Sequence, residues 1–456
     1  MSGLPRRSGY RVFARRDGYA GWTRHRNAMR AMTTQSAFEI RRQSLDALRR
    51  LLTHAFSTVP FYRDAWTAIG FAPSAHVALD DLQRLPMLTK NDLRDRKEDL
   101  ISLAVPERDR HIDLTGGTTG TQTSFYRDNA CRVARFGRQW GILEQCGYQP
   151  GQKRALIWGS HADLGPAHSG LSLRRALRRF ASADETLCCT VMTDADMRAY
   201  HQRLCAFQPA VVYGYPNAIE QFARFIARER LKPITAGRIF CTAERLLERQ
   251  RELFQRAFGG DVFNLYCSRE HGCVAFECSR HRGFHVDAGS VVLEILRDGR
   301  PARPGEEGDI VITDLLNYAT PFIRYATGDR ATASNSRCDC GSPLPTFAAL
   351  DGRTADIIHL PNGGVVAGLM LDDLFTQLPE ITHAQFVQEH LTSLDVNVVV
   401  KPGTDPSIEI AMLAEIRELI GPELTIRIHF VPAIPRNAVS GKFQVVISRV
   451  QPVALA

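Results

Sequence analysis

The sequence lacks a long apolar stretch. No run of about 18 consecutive apolar residues occurs, so no segment is suited to cross a membrane as a helix. Residues 1–30 are basic but contain no apolar centre of the kind that a secretory signal needs. We find no internal repeat and no low-complexity tract. These absences predict a globular, cytoplasmic protein without a membrane partner.

Charge of one sign is not concentrated anywhere in the chain. The 57 basic and 49 acidic residues leave a formal net charge of +8. In the densest basic run, residues 173–180, apolar residues recur at helical spacing, which is typical of the solvated face of a helix. No nucleic-acid recognition motif accompanies it, so we expect no nucleic-acid partner. A dispersed basic excess suits an anionic cosubstrate such as ATP or coenzyme A.

Cysteine is too sparse for a disulfide framework, with 11 in 456 residues. Because no secretory signal is visible, we expect a reducing environment in which the thiols stay free. Free thiols either pack in the core or bind a metal.

The middle of the chain alternates between short apolar runs and amphipathic segments. The predicted strands are 155–158, 210–214, 238–241 and 262–266, and the predicted helices are 131–146, 218–230 and 246–258. This alternation indicates the α/β class with a parallel sheet.

The pattern changes after residue 283. Strands at 291–296, 308–313 and 322–325 indicate an antiparallel β region. Near residue 351 an α+β unit begins, with predicted strands at 395–400 and 425–431 and helices near 370–378 and at 408–420. We therefore predict a large N-terminal α/β domain, residues 1–350, with parallel sheets plus an antiparallel β subdomain. A small, mobile α+β C-terminal domain, residues 351–456, follows it.

A run of glycines and hydroxyls follows residue 114, namely Thr115, Gly116, Gly117, Thr118, Thr119 and Gly120. Glycines let backbone N–H groups turn toward an anion, and hydroxyls donate to phosphate oxygens. No Lys-Ser or Lys-Thr pair follows, so this is not the phosphate loop of nucleoside triphosphatases. Taken alone, the run is equally consistent with a phosphate cradle and with a plain turn.

Two carboxylates follow predicted strands. Glu270 comes just after strand 262–266, and Asp329 follows strand 322–325 and a glycine. Ligands of open parallel sheets bind beyond the carboxyl ends of the strands, where a carboxylate holds Mg²⁺ or ribose hydroxyls. The alternatives are a surface turn with an Arg269–Glu270 ion pair and an ordinary Gly-Asp turn.

Five motifs in this order make the chain similar to the acyl-adenylate-forming superfamily of acyl-CoA synthetases, adenylation domains and luciferases. The matching segments are residues 115–122, 266–270, 325–329, 352–356 and 440–442. Residues 59–62, 266–272 and 338–341 look most like the phenylacetate–CoA ligase branch. The resemblance covers roughly residues 55–450.

The resemblance implies an adenylate-forming fold and an acyl-CoA synthetase that joins a carboxylic acid to ATP, releases pyrophosphate and passes the acyl group to coenzyme A. Lys442 and Glu270 would be catalytic, with Glu270 binding Mg²⁺ and the C-terminal domain delivering Lys442 as a lid. The implied ATP-binding residues are Thr115, Gly116, Gly117, Thr118, Thr119, Gly120, Ala243, Glu244, Asn264, Tyr266, Cys267, Ser268, Asp329 and Arg353.

The chain departs from the family pattern at several positions. Gln122 replaces the proline of the phosphate loop, whose neighbouring lysine is absent, and Cys267 and Ala326 replace a glycine and an arginine. Ala355 stands where the family often has its hinge aspartate. Because the hinge governs the second half-reaction, transfer to an amine or to a carrier-protein thiol stays open as the alternative to coenzyme A.

A structural zinc site is predicted from Cys278, His285, Cys338 and Cys340. Three thiolates and one imidazole make a closed tetrahedral set, and similar groups occur in the phenylacetate–CoA ligase branch. His281 is an alternative to His285, and free packing cysteines are the alternative to a metal.

An acyl-substrate pocket is predicted at the ends of two strands, from Trp158, Ser160, His161, Tyr213, Gly214, Tyr215 and Pro216. Aromatic side chains suit a flat ring, so we expect an aryl or arylacetic acid as substrate. The alternative is that these aromatics belong to the core. The sequence leaves the choice between a monomer and a homodimer open.

Overall fold

The structure is a computed structural model. It describes residues 18–114, 124–158, 183–189, 192–353, 357–361, 365–367, 371, 378, 380–435 and 445–450. The chain divides into two compact units: Met1–Thr327 with Ala331–Leu350, and Gly328–Arg330 with Asp351–Ala456. Among the described residues, no helix combines the length and the apolar character needed to cross a membrane.

Several helices of the first unit begin at a side-chain cap. Ser36 and Thr89 each accept from the backbone N–H three residues later, and Glu39 and Asp92 return the bond to the cap residue. The helices are α1 Trp22–Met32, α2 Ala37–Thr58, α3 Pro60–Ala68, α4 Lys90–Asp95, α5 Asn129–Gln145, α6 Asp194–Phe207, α7 Pro216–Arg228 and α8 Glu248–Phe258.

Two antiparallel strands precede a large sheet in the first unit: β1 Arg110–Leu114 and β2 Ser124–Asp128. The parallel strands of the large sheet are β3 Arg154–Trp158, β4 Asp184–Cys188, β5 Val211–Gly214, β6 Arg238–Thr242 and β7 Asp261–Ser268. They lie in the order β7-β6-β5-β3-β4. Helices α6, α7 and α8 pack on one face of these strands, and α1 and α5 on the other. The predicted parallel α/β arrangement is confirmed.

The described part of this sheet has 12 strands, because antiparallel strands extend it beyond β7. They are β8 Gly272–Glu277, β9 Phe284–Val286, β10 Val291–Arg297, β11 Arg300–Pro301, β12 Glu307–Asp314, β13 Tyr325–Ala333 and β14 Thr346–Arg353. The full order is β11-β10-β12-β13-β14-β9-β8-β7-β6-β5-β3-β4. The sequence therefore predicted the antiparallel region correctly but not its fusion with the parallel strands.

The strand predicted at 322–325 is wrong for its first three residues, because β13 begins only at Tyr325. Arg324 has a φ of 50°, a left-handed conformation that an extended strand does not accept. Its guanidinium donates to Glu294 Oε2 at 3.1 Å and to the Leu85 carbonyl at 2.6 Å. These buried contacts hold the chain in that conformation.

The second unit contains a separate mixed sheet. Its strands are β15 Ile357–His359, β16 Val365–Ala367, β17 Ile381–His390, β18 Ser393–Val400, β19 Thr425–Phe430 and β20 Val446–Ser448, and its helix is α9 Ile408–Ile420. The sheet order is β19-β18-β17-β20, with β15 and β16 paired apart from it. Apolar residues of α9 and the sheet form one core. The predicted strands and the helix at 408–420 are confirmed, whereas the helix predicted near 370–378 lies almost entirely outside the described residues.

Candidate active site

The glycine–threonine run connects the antiparallel strands β1 and β2. Leu114 pairs with Ser124 at the end of this hairpin from which the connecting loop leaves. Residues 115–120 themselves lie outside the described residues. Beyond β2, Asp128 caps α5 by accepting from the Cys131 N–H at 2.7 Å, and it also accepts from the Tyr318 N–H at 2.9 Å. The predicted phosphate loop is therefore bounded by a paired hairpin and a capped helix.

Glu270 lies in the turn between β7 and β8, at the carboxyl end of β7. Ser268 pairs with Gly272 across the turn, and the Ser268 hydroxyl accepts from the His271 N–H at 3.1 Å. Gly272 has a φ of 71°, which explains glycine there. The Glu270 side chain is half-buried. This is the strand-end position that the sequence predicted.

Two arginines join the loop hairpin to the Glu270 turn. Arg127 on β2 donates to the Arg269 carbonyl and pairs with Asp113 on β1. Arg135 on α5 donates to the Glu270 carbonyl and pairs with Asp314 at the end of β12. Neither arginine was predicted as a site residue, although Arg127 follows the glycine loop closely and the arginines of α5 recur at helical spacing.

Arg269 points toward the same hairpin. Its Nη1 lies 4.0 Å from Asp113 Oδ1, so Arg269 and Arg127 both contact the Asp113 carboxylate. Asp314 is buried, and burial alone would raise its pKa. The Arg135 guanidinium, together with His271 and the Leu316 N–H, outweighs burial and lowers the pKa of that carboxyl below its ordinary value. Asp314 is therefore ionised at neutral pH and forms a buried ion pair with Arg135.

The ends of the parallel strands bring several predicted residues to one edge of the sheet. β3, β5, β6 and β7 run in the same direction, so Trp158, Gly214, Thr242 and Ser268 share that edge. Ala243 follows β6 with a φ of 68°, where the chain turns sharply away from the sheet. A common edge of this kind is where open sheets bind ligands.

Polar groups near this edge suit a nucleotide base. Among the described residues, the side-chain oxygens of Thr242 and Asn264 are buried and have no hydrogen-bond partner. A buried oxygen without a donor costs about 1–3 kcal/mol. Such oxygens would accept from a ligand that carries N–H groups, as a purine does. Tyr266 is buried, Cys267 and Ser268 are half-buried, and Glu244 is also half-buried after β6.

The structure describes the remaining predicted ATP-binding residues to different extents. Asp329 lies on β13 with 7 % of its surface exposed, next to Gly328 with a φ of 75°. Gly328–Arg330 group with the second unit. Arg353 ends β14, and Lys442 lies outside the described residues. The roles of Asp329, Arg353 and Lys442 stay predictions.

The predicted acyl pocket is partly core. Tyr213 and Tyr215 are buried, and burial raises the pKa of Tyr213 well above its ordinary value. Trp158 is half-buried, with its ring 4.5 Å from that of Tyr215. A side chain at Gly214 would come within 2.5 Å of the Ile157 carbonyl, which explains glycine there. Pro216 begins α7, and Ser160 and His161 lie outside the described residues.

The four predicted metal ligands lie together. One ligand atom from each of Cys278, His285, Cys338 and Cys340 falls within 4.8 Å of the others. Cys278 Sγ is 3.6 Å from Cys338 Sγ, and Cys340 Sγ is 3.4 Å from His285 Nε2. In a tetrahedral site with Zn–S near 2.3 Å and Zn–N near 2.0–2.1 Å, the corresponding separations are about 3.8 and 3.6 Å. The cluster therefore has the size and the donor set of a zinc site.

Backbone geometry supports the same four residues. The N–H groups of Arg280 and Ser342 point to the sulfurs of Cys278 and Cys340, each at 3.4 Å. His281, the alternative ligand, instead lies 3.4 Å from Glu277 Oε2 and is not part of the cluster. His285 sits on β9, whose pairing with β14 brings it toward the Cys338–Cys340 loop.

Comparisons with known proteins agree with this architecture. The family described as the CapK C-terminal domain matches residues 358–449. The chain is 26% identical over 366 residues to a phenylacetate-coenzyme A ligase of Thermus thermophilus, covering 77% of this chain and 78% of that protein. It is 22% identical over 392 residues to Protein CapK of Staphylococcus aureus, covering 82% of each.

A solved structure shares the fold. The chain resembles a 2-hydroxyisobutyryl-CoA ligase in its postadenylation state, with a TM-score of 0.72, 19% identity and 91% of each chain covered. At 19% identity, this likeness shows a shared fold and nothing more. The curated relatives add a similarity in sequence to phenylacetate-coenzyme A ligases, in line with the ordered motifs.

Proposed function

We propose that the protein is an acid–thiol ligase that activates a carboxylic acid with ATP. A carboxylate oxygen attacks the α-phosphorus of ATP, the bond to the β-phosphate breaks, and pyrophosphate leaves. The thiol of coenzyme A then releases its proton to solvent and its sulfur attacks the acyl carbon. The bond from that carbon to the phosphate oxygen breaks, and AMP leaves. Both cosubstrates belong to the cytoplasm, and we assign the activity there.

The main support for this proposal is that Arg127 and Arg135 connect the β1–β2 hairpin and α5 to the Glu270 turn at one edge of the parallel sheet. The loop would hold the phosphates that leave, and the Glu270 carboxylate would hold Mg²⁺ beside them. The buried oxygens of Thr242 and Asn264 would accept from the adenine. Asp329 would accept from the ribose hydroxyls, with Arg353 nearby.

Lys442 is the second catalytic residue of this proposal. Its ammonium would stabilise the negative charge that develops on the carboxylate and α-phosphate oxygens. Lys442→Ala should abolish pyrophosphate release and leave thioester formation from supplied acyl-AMP largely intact. Pyrophosphate release at the wild-type rate in this variant would remove Lys442 from the mechanism.

We propose an aryl or arylacetic acid as the substrate. Trp158 is a partly exposed aromatic residue at the shared edge, and its ring packs against the buried ring of Tyr215 at 4.5 Å. A rigid aromatic wall of this kind favours a flat ring. Tyr213 and Tyr215 would support the pocket from below.

We also propose that the cluster of Cys278, His285, Cys338 and Cys340 binds one structural zinc ion. Four protein ligands leave no open position, so the ion would hold the β8–β9 and β13–β14 connections together and take no part in the reaction. Metal analysis of the purified protein should find one zinc per chain.

The decisive experiment is ATP–pyrophosphate exchange across a panel of carboxylic acids, with benzoate-, salicylate- and phenylacetate-like members beside short aliphatic acids. Exchange stimulated by an aryl acid is the expected result. An acceptor screen with the best acid then separates coenzyme A from amines and carrier-protein thiols. Absence of acid-dependent exchange with every member would refute the adenylation proposal.

A further inference from the structure

The peptide backbone of the Glu270 turn is held at two consecutive carbonyl groups. The Arg269 carbonyl accepts from Arg127, and the Glu270 carbonyl accepts from Arg135. Both donors come from the segment that directly follows the glycine–threonine loop. With its carbonyl groups fixed in this way, the turn has little freedom to rotate about the backbone next to Glu270.

Each of these arginines is neutralised by a carboxylate on a different strand. Arg127 pairs with Asp113, so its guanidinium ties together both strands of the loop hairpin. Arg135 pairs with Asp314, and the two side chains are 9 % and 1 % exposed. The Arg135 Nε also lies 3.1 Å from Cys131 Sγ on the preceding turn of α5. A guanidinium with this many partners adopts a single orientation.

We propose that Arg127 and Arg135 are positioning residues that hold the β1–β2 hairpin and α5 against the turn that carries the Mg²⁺-binding carboxylate of Glu270. This inference rests on the proposed function. The loop lacks the proline and the neighbouring lysine of the family pattern, which leaves Gln122 in the place of the proline. The two arginines hold β2 and α5, which follow the loop in the sequence, against the Glu270 turn.

The chain offers a matched control on the same helix. Arg138 lies one turn after Arg135, pairs with the buried carboxylate of Asp287, and is 7 % exposed. Its guanidinium contacts the sulfur atoms of Met29 and Met32 on α1. The Arg138 ion pair is as buried as the Arg135 ion pair, but its described contacts lie away from the Glu270 turn. A purely structural role predicts similar consequences for both.

The test compares Arg135→Met, Arg135→Lys and Arg138→Met. For each variant, the Mg²⁺ concentration for half-maximal ATP–pyrophosphate exchange and the protection from thermal unfolding by MgATP are measured. We expect Arg135→Met to raise the half-maximal Mg²⁺ concentration about tenfold and to lose most of the protection by MgATP. Arg135→Lys, which keeps one charged donor, should recover part of both.

Arg138→Met should lower the unfolding temperature without MgATP and keep its Mg²⁺ dependence within about twofold of wild type. If Arg135→Met does not fold, Arg127→Lys tests the proposal instead. Arg127 is nearer the surface, with 17 % of its side chain exposed, so its substitution should disturb folding less. A wild-type Mg²⁺ dependence in the Arg135→Met or Arg127→Lys protein refutes the positioning role. An equal shift in Arg138→Met also refutes it.

The two proposals fail in different ways. If MgATP protects the wild-type protein but the arginine variants match it, only the positioning role is wrong. If the wild-type protein shows neither protection by MgATP nor exchange with any acid, the proposed function is wrong and the positioning role falls with it.

Discussion

The close contact between α1 and α5 predicts that a side chain added at Gly137 of α5 lowers the free energy of unfolding. Gly137 and Gly141 of α5 face α1 so closely that a Cβ atom at Gly137 would lie 2.2 Å from the Trp22 carbonyl oxygen. At Gly141 it would lie 2.7 Å from the Met29 Cβ and 2.9 Å from the Arg26 carbonyl oxygen. Ordinary contacts of this kind are about 3.5–4.0 Å, so α1 would have to withdraw by about 1 Å or more.

Two effects of Gly137→Ala oppose each other. Alanine is the better helix former and would raise the free energy of unfolding by about 0.5–1 kcal/mol. Overpacking would lower it by about 1–3 kcal/mol, and the contacted atom is a backbone carbonyl oxygen that cannot rotate away. We therefore expect a net loss of about 1–2 kcal/mol for Gly137→Ala.

Urea unfolding followed by tryptophan fluorescence measures this loss. All 4 tryptophans lie in the first unit, so the signal reports that unit. Ala130→Gly, at an exposed position of the same helix, is the control and should lower the free energy of unfolding by no more than about 1 kcal/mol. A Gly137→Ala protein as stable as wild type, or more stable, would show that the close helix contact is not as the structure describes.

Three further predictions concern the metal cluster, the buried ion pair and the lid. Cys340→Ser should release the zinc and lower the unfolding temperature, whereas Cys205→Ser should keep the metal; equal zinc content in both proteins argues against the site. Asp314→Asn should lower the free energy of unfolding at pH 7 by about 3–5 kcal/mol, because Arg135 is left as a buried, unpaired charge. Because the pKa of Asp314 is lowered in the folded protein, Asp314 contributes its full stabilisation above an ordinary aspartate pKa of about 3.9. That stabilisation is lost as the pH falls through the folded pKa. The free energy of unfolding of the variant should therefore depend less on pH in the acid range. Lys442→Ala should separate the half-reactions, with pyrophosphate exchange lost and thioester formation from acyl-AMP retained.

Local patterns predicted much of the fold. The strands β3, β5, β6 and β7 are short apolar runs separated by amphipathic helices, and this alternation is sufficient to indicate a parallel sheet. The zinc candidates were found from cysteine and histidine content and from family resemblance. The beginning of β13 was missed, because the left-handed backbone of Arg324 depends on Glu294 and on the Leu85 carbonyl, which are far away in the sequence.

The sequence by itself determined the class of protein, the order of its motifs and the chemistry of its candidate residues, because these depend on residue type and spacing along the chain. Only the tertiary structure decided which of these residues meet. It selected His285 over His281 for the metal cluster, placed Tyr215 in the core, and joined the glycine–threonine hairpin to the Glu270 turn through Arg127 and Arg135. The physical reason is that long-range contacts form only when strands and helices pack. The sequence around Arg127 or Arg135 does not indicate that its partner in the Glu270 turn is more than 100 residues away.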